Sequence, residues 1–233
     1  MSNKSDGVAA VERALSILNA FQHNDEALSL HEIANRTQLY KSTILRLLAS
    51  LIRFRCVQQL PDGRYQLGYA VLHWGSVYQA SLRLDNVVVP VLTELANNTG
   101  EGASFFRREG NVRLCLYRVD SRRSIRDHMH AGDILPLQTG AAGRVLLAFD
   151  SSVSEYPESA VIVTIGEREP DIAAIAAPVF GPGRALRGAV AISGPASRFG
   201  KDAIARFSKD VRSAAIELTR RLGGDENIFA NLR

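Results

Sequence analysis

Cysteine is nearly absent. Cys56 and Cys115 are the only two in 233 residues, and they stand far apart. A disulfide framework is thereby excluded, and two buried free thiols in a reducing cytosol are the simple reading. No apolar run approaches the ~18 residues that a membrane-crossing helix requires. The opening residues, Met1 to Asp6, are polar and lack the apolar stretch of a signal peptide. These absences point to a cytoplasmic protein. Catalytic signatures are missing as well: there is no Gly-x-Ser-x-Gly elbow, phosphate-binding loop, His-Glu-x-x-His or paired-cysteine motif. Excess charge is also scarce. A net charge of +4 identifies no partner by itself.

What is present is enough chain for one large domain or two modest ones, 46% hydrophobic, with basic residues gathered in two places. Between Arg36 and Arg64, six cations (Arg36, Lys41, Arg46, Arg53, Arg55, Arg64) face one acid, Asp62. Such a patch is the electrostatic footprint of phosphate binding, although a solvated helix face would look the same. Further on, Arg107, Arg108, Arg113, Arg118, Arg122, Arg123 and Arg126 face only Glu109 and Asp120. Alternating strand residues pointing to water account for most of these.

The first cluster lies in an ordered series of elements. Val8, Val11, Leu15 and Leu18 form an apolar stripe on a helix of about four turns. Ser29-Leu30-His31-Glu32 fits a capping box, with Leu28 and Ile33 placed as a hydrophobic staple. The short helix that follows runs to about Thr37, and Gln38-Leu39-Tyr40 makes a turn. A second helix, about Lys41 to Arg53, puts Ile44, Leu47, Leu48 and Leu51 on one face and Ser42, Arg46 and Arg53 on the other, with Lys41 and Thr43 at its N-terminal end. This is the form of a recognition helix: an apolar back, with short polar and long basic groups in front. Arg46 could fork onto guanine, and Ser42 or Thr43 could reach a phosphate or a base edge. Cys56–Leu60 and Arg64–Leu67 flank the turn Pro61-Asp62-Gly63, giving a wing on which Arg64 could touch a phosphate or the minor groove.

Gly68 to Tyr78 continues as a helix carrying Leu72, Trp74 and Tyr78, too apolar to stand alone in water. The same helix of a second subunit is its simplest partner, and two-fold symmetry would suit a pseudo-palindromic operator. Beyond it, a helix with Pro90 near its first turn ends at Asn98-Thr99-Gly100. Ala103–Arg107 and Val112–Val119 read as a hairpin, and Ser124–His130 as a third strand. His128 and His130 would share a face of that strand, but no third metal ligand is evident. Leu135 to Arg144 is a strand and small-residue loop leading to a helix at Val145–Phe149, whose N-terminus favours an anion unless Gly140 and Gly143 serve close packing alone. Residues 170–180 and 187–193 read as two strands, and Ala203–Leu222 as a closing helix. The fold class is therefore α+β.

Four segments carry a family resemblance: Ala14-Leu15-Ser16-Ile17-Leu18, Leu30-His31-Glu32-Ile33-Ala34, Lys41-Ser42-Thr43-Ile44-Leu45-Arg46-Leu47-Leu48 and Gly63-Arg64-Tyr65-Gln66-Leu67-Gly68. In the C-terminal half, Leu135–Phe149, Gly166–Glu169, Ile175–Phe180 and Ala191–Pro195 join them. With these residues the chain resembles the IclR family of bacterial transcriptional regulators. The resemblance implies a winged helix-turn-helix over residues 1–68, a linker and dimerisation helix over 69–84, and a GAF-like effector-binding domain over 85–233. It implies a homodimer or tetramer that binds a double-stranded DNA operator and a small organic acid effector, with no cofactor or metal. Carried over by position, the effector would meet the backbone amides of Gly140 and Ala141, Ile172 and Ala174, and the Ser193 hydroxyl. Arg126 could supply the counter-charge.

The chain departs from the family pattern at several points. Gln38 stands where a Gly is usual and Tyr40 where a Pro is common, so Tyr40 joins Lys41, Ser42, Thr43, Arg46 and Arg64 as a candidate DNA contact. Thr164 and Ala191 replace more polar residues, and the segment between Phe149 and Val161 is short enough to remove a pocket lid. Repression or activation, the operator and the effector stay open. A sensor acting through protein contacts and a small-molecule-binding enzyme without a recognisable motif are the alternatives.

Overall fold

The computed structural model describes residues 7–150 and 156–232, so Ser151–Glu155, where the shortened segment lies, fall outside the described residues. The chain divides into two compact units, Met1–Ser81 and Leu82–Arg233.

The first unit holds α1 (Ala9–Asn19), α2 (Leu30–Thr37), α3 (Lys41–Arg53), the hairpin β1 (Val57–Gln59) and β2 (Tyr65–Leu67), and most of α4 (Tyr69–Leu82). The start of α2 is the capping box in full: the Ser29 hydroxyl accepts from the Glu32 amide at 3.2 Å, and Glu32 Oε2 accepts from the Ser29 amide at 2.7 Å. Leu28 and Ile33, the staple pair, are both buried. Ile44, Leu48 and Leu51 turn the back of α3 onto this core, each burial being worth roughly 1.5–3 kcal/mol. In the hairpin, the Gly63 amide donates to Leu60 O at 2.9 Å and Val57 pairs with Leu67. Leu28 adds a third, one-residue strand, exchanging two hydrogen bonds with Tyr65 at 2.8 and 2.7 Å.

The α1 stripe differs from expectation. Val8, Val11 and Leu15 are exposed, and the buried residue is Ile17, with Ala14 and Leu18 packed beside it. The apolar spacing is real, but the core takes the neighbouring face of the helix.

The second unit builds α5 (Asp85–Thr99), β3 (Gly102–Glu109), β4 (Val112–Val119), β5 (Ile134–Pro136), α6 (Ala141–Ala148), β6 (Ile162–Ile165), β7 (Ile172–Phe180), β8 (Leu186–Pro195) and α7 (Lys201–Arg221). The six strands form one antiparallel sheet in the order β5-β4-β3-β8-β7-β6. Register determines which residues share a face. Phe106 pairs with Ala189 and Cys115, Ser104 with Ala191, and Ala174 with both Ser193 and Thr164. Stepping by two along each strand therefore puts Arg113, Phe106, Ala191, Ser193, Ala174, Ile172 and Thr164 on a single face.

Three elements fall elsewhere than the sequence suggests. Ser124–His130 is not a strand. Two of its carbonyls are taken by arginines instead of a ladder: Arg198 Nη1 donates to Ile125 O and Arg118 Nη2 to Asp127 O, each at 3.2 Å. Helix α5 starts at Asp85, so Pro90 lies inside it rather than in its first turn. Helix α6 begins at Ala141, four residues ahead of Val145, because Gly140, at φ 77° and ψ 158°, turns the chain there. Among the described residues no helix is long and apolar enough to cross a membrane, and Cys56 and Cys115 are buried free thiols.

Candidate nucleic-acid interface and ligand pocket

The front of α3 is open. Lys41, Ser42 and Arg46 are exposed, Thr43 is half-buried, and Tyr40, at the N-cap, is 85% exposed. Neither Lys41 nor Arg46 has an ion-pair partner among the described residues. The other cations of the patch are partly spent. Arg36 donates to the Ala20 carbonyl at 2.8 Å and pairs with Asp25. Arg64 curls onto its own turn, where the Asp62 carboxylate accepts from its amide at 3.0 Å and its Nε at 2.7 Å. Those bonds hold the Asp62 carboxyl below its ordinary range. Leu45, exposed beside Arg46, went unmarked in the sequence; its methyl groups suit a thymine methyl as well as any on this face.

The turn ahead of α3 rests on Gln38. It takes the left-handed conformation, φ 57° and ψ 25°, that a glycine adopts without cost. Its amide donates to Ala34 O at 2.9 Å and its Nε2 to Asn35 O at 2.6 Å. On α4, Leu72 is 77% exposed and Trp74 53% exposed, and Tyr69, Val77 and Tyr78 are also open to solvent.

In the second unit, the sheet face and the start of α6 enclose a small cavity. Gly140, Ala141, Ile172, Ala174 and Ser193 all line it, together with Thr164 and Ala191. Arg126 does not. It is exposed on the irregular 124–130 segment and is not among the lining residues. The arginines at the cavity are Arg113 and Arg168, with Phe106 and Met129 as apolar lining.

Polar groups expected to wait for a ligand are already engaged. The Gly140 amide donates to Glu167 Oε2 at 2.8 Å, and Glu167 also pairs with Arg144. The Ala141 amide donates to Thr164 Oγ1 at 3.0 Å. Ser193 donates its hydroxyl proton to Asp127 Oδ2 at 2.5 Å, and Asp127 Oδ1 accepts from Arg168 Nη2 at 2.6 Å. Burial pushes the Asp127 carboxyl up, but Ser193 and Arg168 more than offset it and hold it below its ordinary range. By contrast, the next two amides of α6, those of Ala142 and Gly143, have no acceptor among the described residues.

Arg113 was counted with the solvated cations of its strand, yet it is 2% exposed. The signal that would have found it is the alternation along β4, which puts Arg113 on the same face as the buried Cys115, two residues on. Arg118, from the same cluster, is likewise covered, pairing with Asp120 at 2.8 Å and donating to Ser104 at 2.9 Å.

Comparison with known proteins agrees with both halves. Residues 10–61 match the IclR helix-turn-helix domain, and residues 77–161 and 153–220 match the bacterial transcriptional regulator IclR C-terminal domain. The HTH-type transcriptional regulator KipR of Bacillus subtilis is 25% identical, over 96% of this chain and 99% of its own. The IclR structure from Thermotoga maritima superposes with a TM-score of 0.73 at 22% identity, covering 91% of this chain and 98% of that one. An IclR homologue from Microbacterium hydrocarbonoxydans, solved in complex with 4-hydroxybenzoate, gives a TM-score of 0.77 at 18% identity, over 92% and 99% of the two chains.

Proposed function

Because this chain belongs to the IclR family of bacterial transcriptional regulators, we propose that it reads a pseudo-palindromic operator as a homodimer or a dimer of dimers and answers to a small organic acid. It is a DNA-binding regulator of the helix-turn-helix type. The residues proposed to touch DNA are Tyr40, Lys41, Ser42, Thr43 and Arg46 on α3 and Arg64 on the wing. The observation that carries this reading is the front of α3, where Lys41 and Arg46, without ion-pair partners among the described residues, flank the exposed Ser42 and half-buried Thr43 while the back of the helix is buried.

Leu72, Trp74 and Tyr78 are proposed to pair α4 with its copy in a second subunit, residues 69–84 acting as the linker between a DNA-binding domain (1–68) and an effector domain (85–233). Small acids are proposed to enter the cavity beside Gly140, Ala141, Ile172, Ala174 and Ser193. The 4-hydroxybenzoate in the Microbacterium homologue, itself a carboxylate, supports that class. The regulator works without catalysis, in the cytoplasm, by population shift: an effector favours one arrangement of the subunits, and α4 converts it into the spacing of two recognition helices.

The test is selection of binding sites from random duplex DNA, followed by gel-shift titration with salt. A palindromic consensus is expected, with affinity falling by orders of magnitude between low and moderate salt. Enrichment of no sequence would overturn the operator reading.

A further inference from the structure

The cavity contains a buried cation with no ion-pair partner among the described residues. Arg113, 2% exposed, spends Nη1 on the carbonyls of Pro136 and Thr139 and lays its guanidinium 5.6 Å from the centre of the Phe106 ring. Its Nε and Nη2 have no acceptor among the described residues. Arg168, the other arginine of the cavity, is satisfied by Asp127 and Glu169. Burial, and then the nearby Arg168 charge, push the Arg113 guanidinium down to about 10, the response of a cation that has lost water without gaining an anion.

Arg113 lies directly against the start of α6. A Cβ added to Gly140 would stand 3.3 Å from Nη2, and one added to Gly143 would stand 2.6 Å from Nη1. Gly143 thus stands against the spent Nη1, whereas Gly140 stands against the free Nη2 and Ala142, whose amide has no acceptor, lines the cavity beside it, so helix partial charge adds to the ionic charge there. Three N–H-bearing groups, Nε, Nη2 and the Ala142 amide, meet at a cavity with no carboxylate among its lining residues.

We propose that Arg113 is the counter-charge of the effector: the cavity takes a carboxylate on the Nε–Nη2 edge of Arg113 and on the amide of Ala142. This rests on the reading of the cavity as the effector site, and it moves the counter-charge from Arg126 to a residue the sequence hid. The fork geometry of arginine matches the two oxygens of a carboxylate, whereas a neutral amide offers one acceptor and brings no charge. The free space, about 30 Å³, has room for little more than one or two waters. A short aliphatic acid therefore fits it better than an aromatic one, which needs Met129 or Phe106 to move.

The experiment uses the full chain and matched pairs of probes: acetate, propionate and benzoate against acetamide, propionamide and benzamide, read by thermal shift and calorimetry at fixed ionic strength. The acids are expected to bind and raise the melting temperature, propionate more tightly than benzoate, and the amides to have no effect. Arg113→Gln is expected to lose about a hundredfold in acid affinity and Arg113→Lys, which keeps the charge but not the fork, about tenfold. Arg122→Ala, an exposed cation elsewhere, serves as control.

Amides binding as tightly as acids, or acids binding Arg113→Lys as they bind the parent, would overturn the assignment and leave the effector reading standing. If Arg113→Gln fails to fold, the acid–amide comparison on the parent chain still decides the matter. Failure of every acid to bind the parent would sink both the assignment and the reading beneath it.

Discussion

Gly143 approaches the carbonyl of Leu137 so closely that a Cβ on it would stand 2.2 Å from the oxygen. Helix α6 can start where it does only because its third residue lacks a side chain. Gly143→Ala is therefore expected to cost about 1–3 kcal/mol by overpacking, read as a lower denaturant midpoint. An unchanged midpoint would mean that α6 can slide without loss.

Arg46→Ala should weaken operator binding by about 1–3 kcal/mol and relax base preference at one position of each half-site. Because Arg46 is exposed and has no ion-pair partner among the described residues, the melting temperature should hold. Gel-shift titration against the selected operator and single-base variants checks this; full affinity in the variant contradicts the assignment of α3.

Gln38→Gly should stabilise the chain by about 0.5–1 kcal/mol, since a side chain in the left-handed region costs roughly 1–2 kcal/mol and the lost bond to Asn35 offsets part of the gain. Chemical denaturation measures it. A loss of stability would show that the Gln38–Asn35 bond outweighs the backbone strain.

Asp127 ties the 124–130 segment to Arg168 and Ser193. Its folded pKa lies below its ordinary value, so its contribution is complete above the unfolded value near ~3.9 and is lost as pH falls through the folded one. At pH 7, Asp127→Asn should cost about 3 kcal/mol by leaving Arg168 without its buried partner. Melting curves of parent and variant should converge as the solution is acidified below the ordinary aspartate range. A gap that persists there would assign the loss to packing instead.

Leu72→Glu combined with Trp74→Ala should shift the sedimentation of the full chain towards the single-chain mass of 25.4 kDa. An unaltered boundary would remove α4 from the subunit contact.

Local chemistry made the first unit easy to read. The Ser29–Glu32 box and the Pro61-Asp62-Gly63 turn act through neighbours in sequence, and α3 runs over Lys41–Arg53 as its periodicity suggests. What failed depends on partners distant in the chain. Ser124–His130 alternates like a strand, but arginines from β4 and from residue 198 hold its Ile125 and Asp127 carbonyls in place of a ladder. Val8, Val11 and Leu15 are spaced for burial, yet Ile17 on the adjoining face won the core. Arg113 hid among charged neighbours because composition cannot say which side of a strand a cation occupies. The early start of α6 hid because Ala-Ala-Gly is compatible with loop and helix alike.

The bridge between Leu28 and Tyr65 joins the residue ahead of the α2 cap to the second wing strand. Wing and helices thus pack as one tile around a shared buried core. Such a tile has a fixed alphabet. In the homodimer proposed above, control exerted from outside it would set how far apart two tiles are held, and so how tightly a paired site is gripped, without changing which letters either tile prefers.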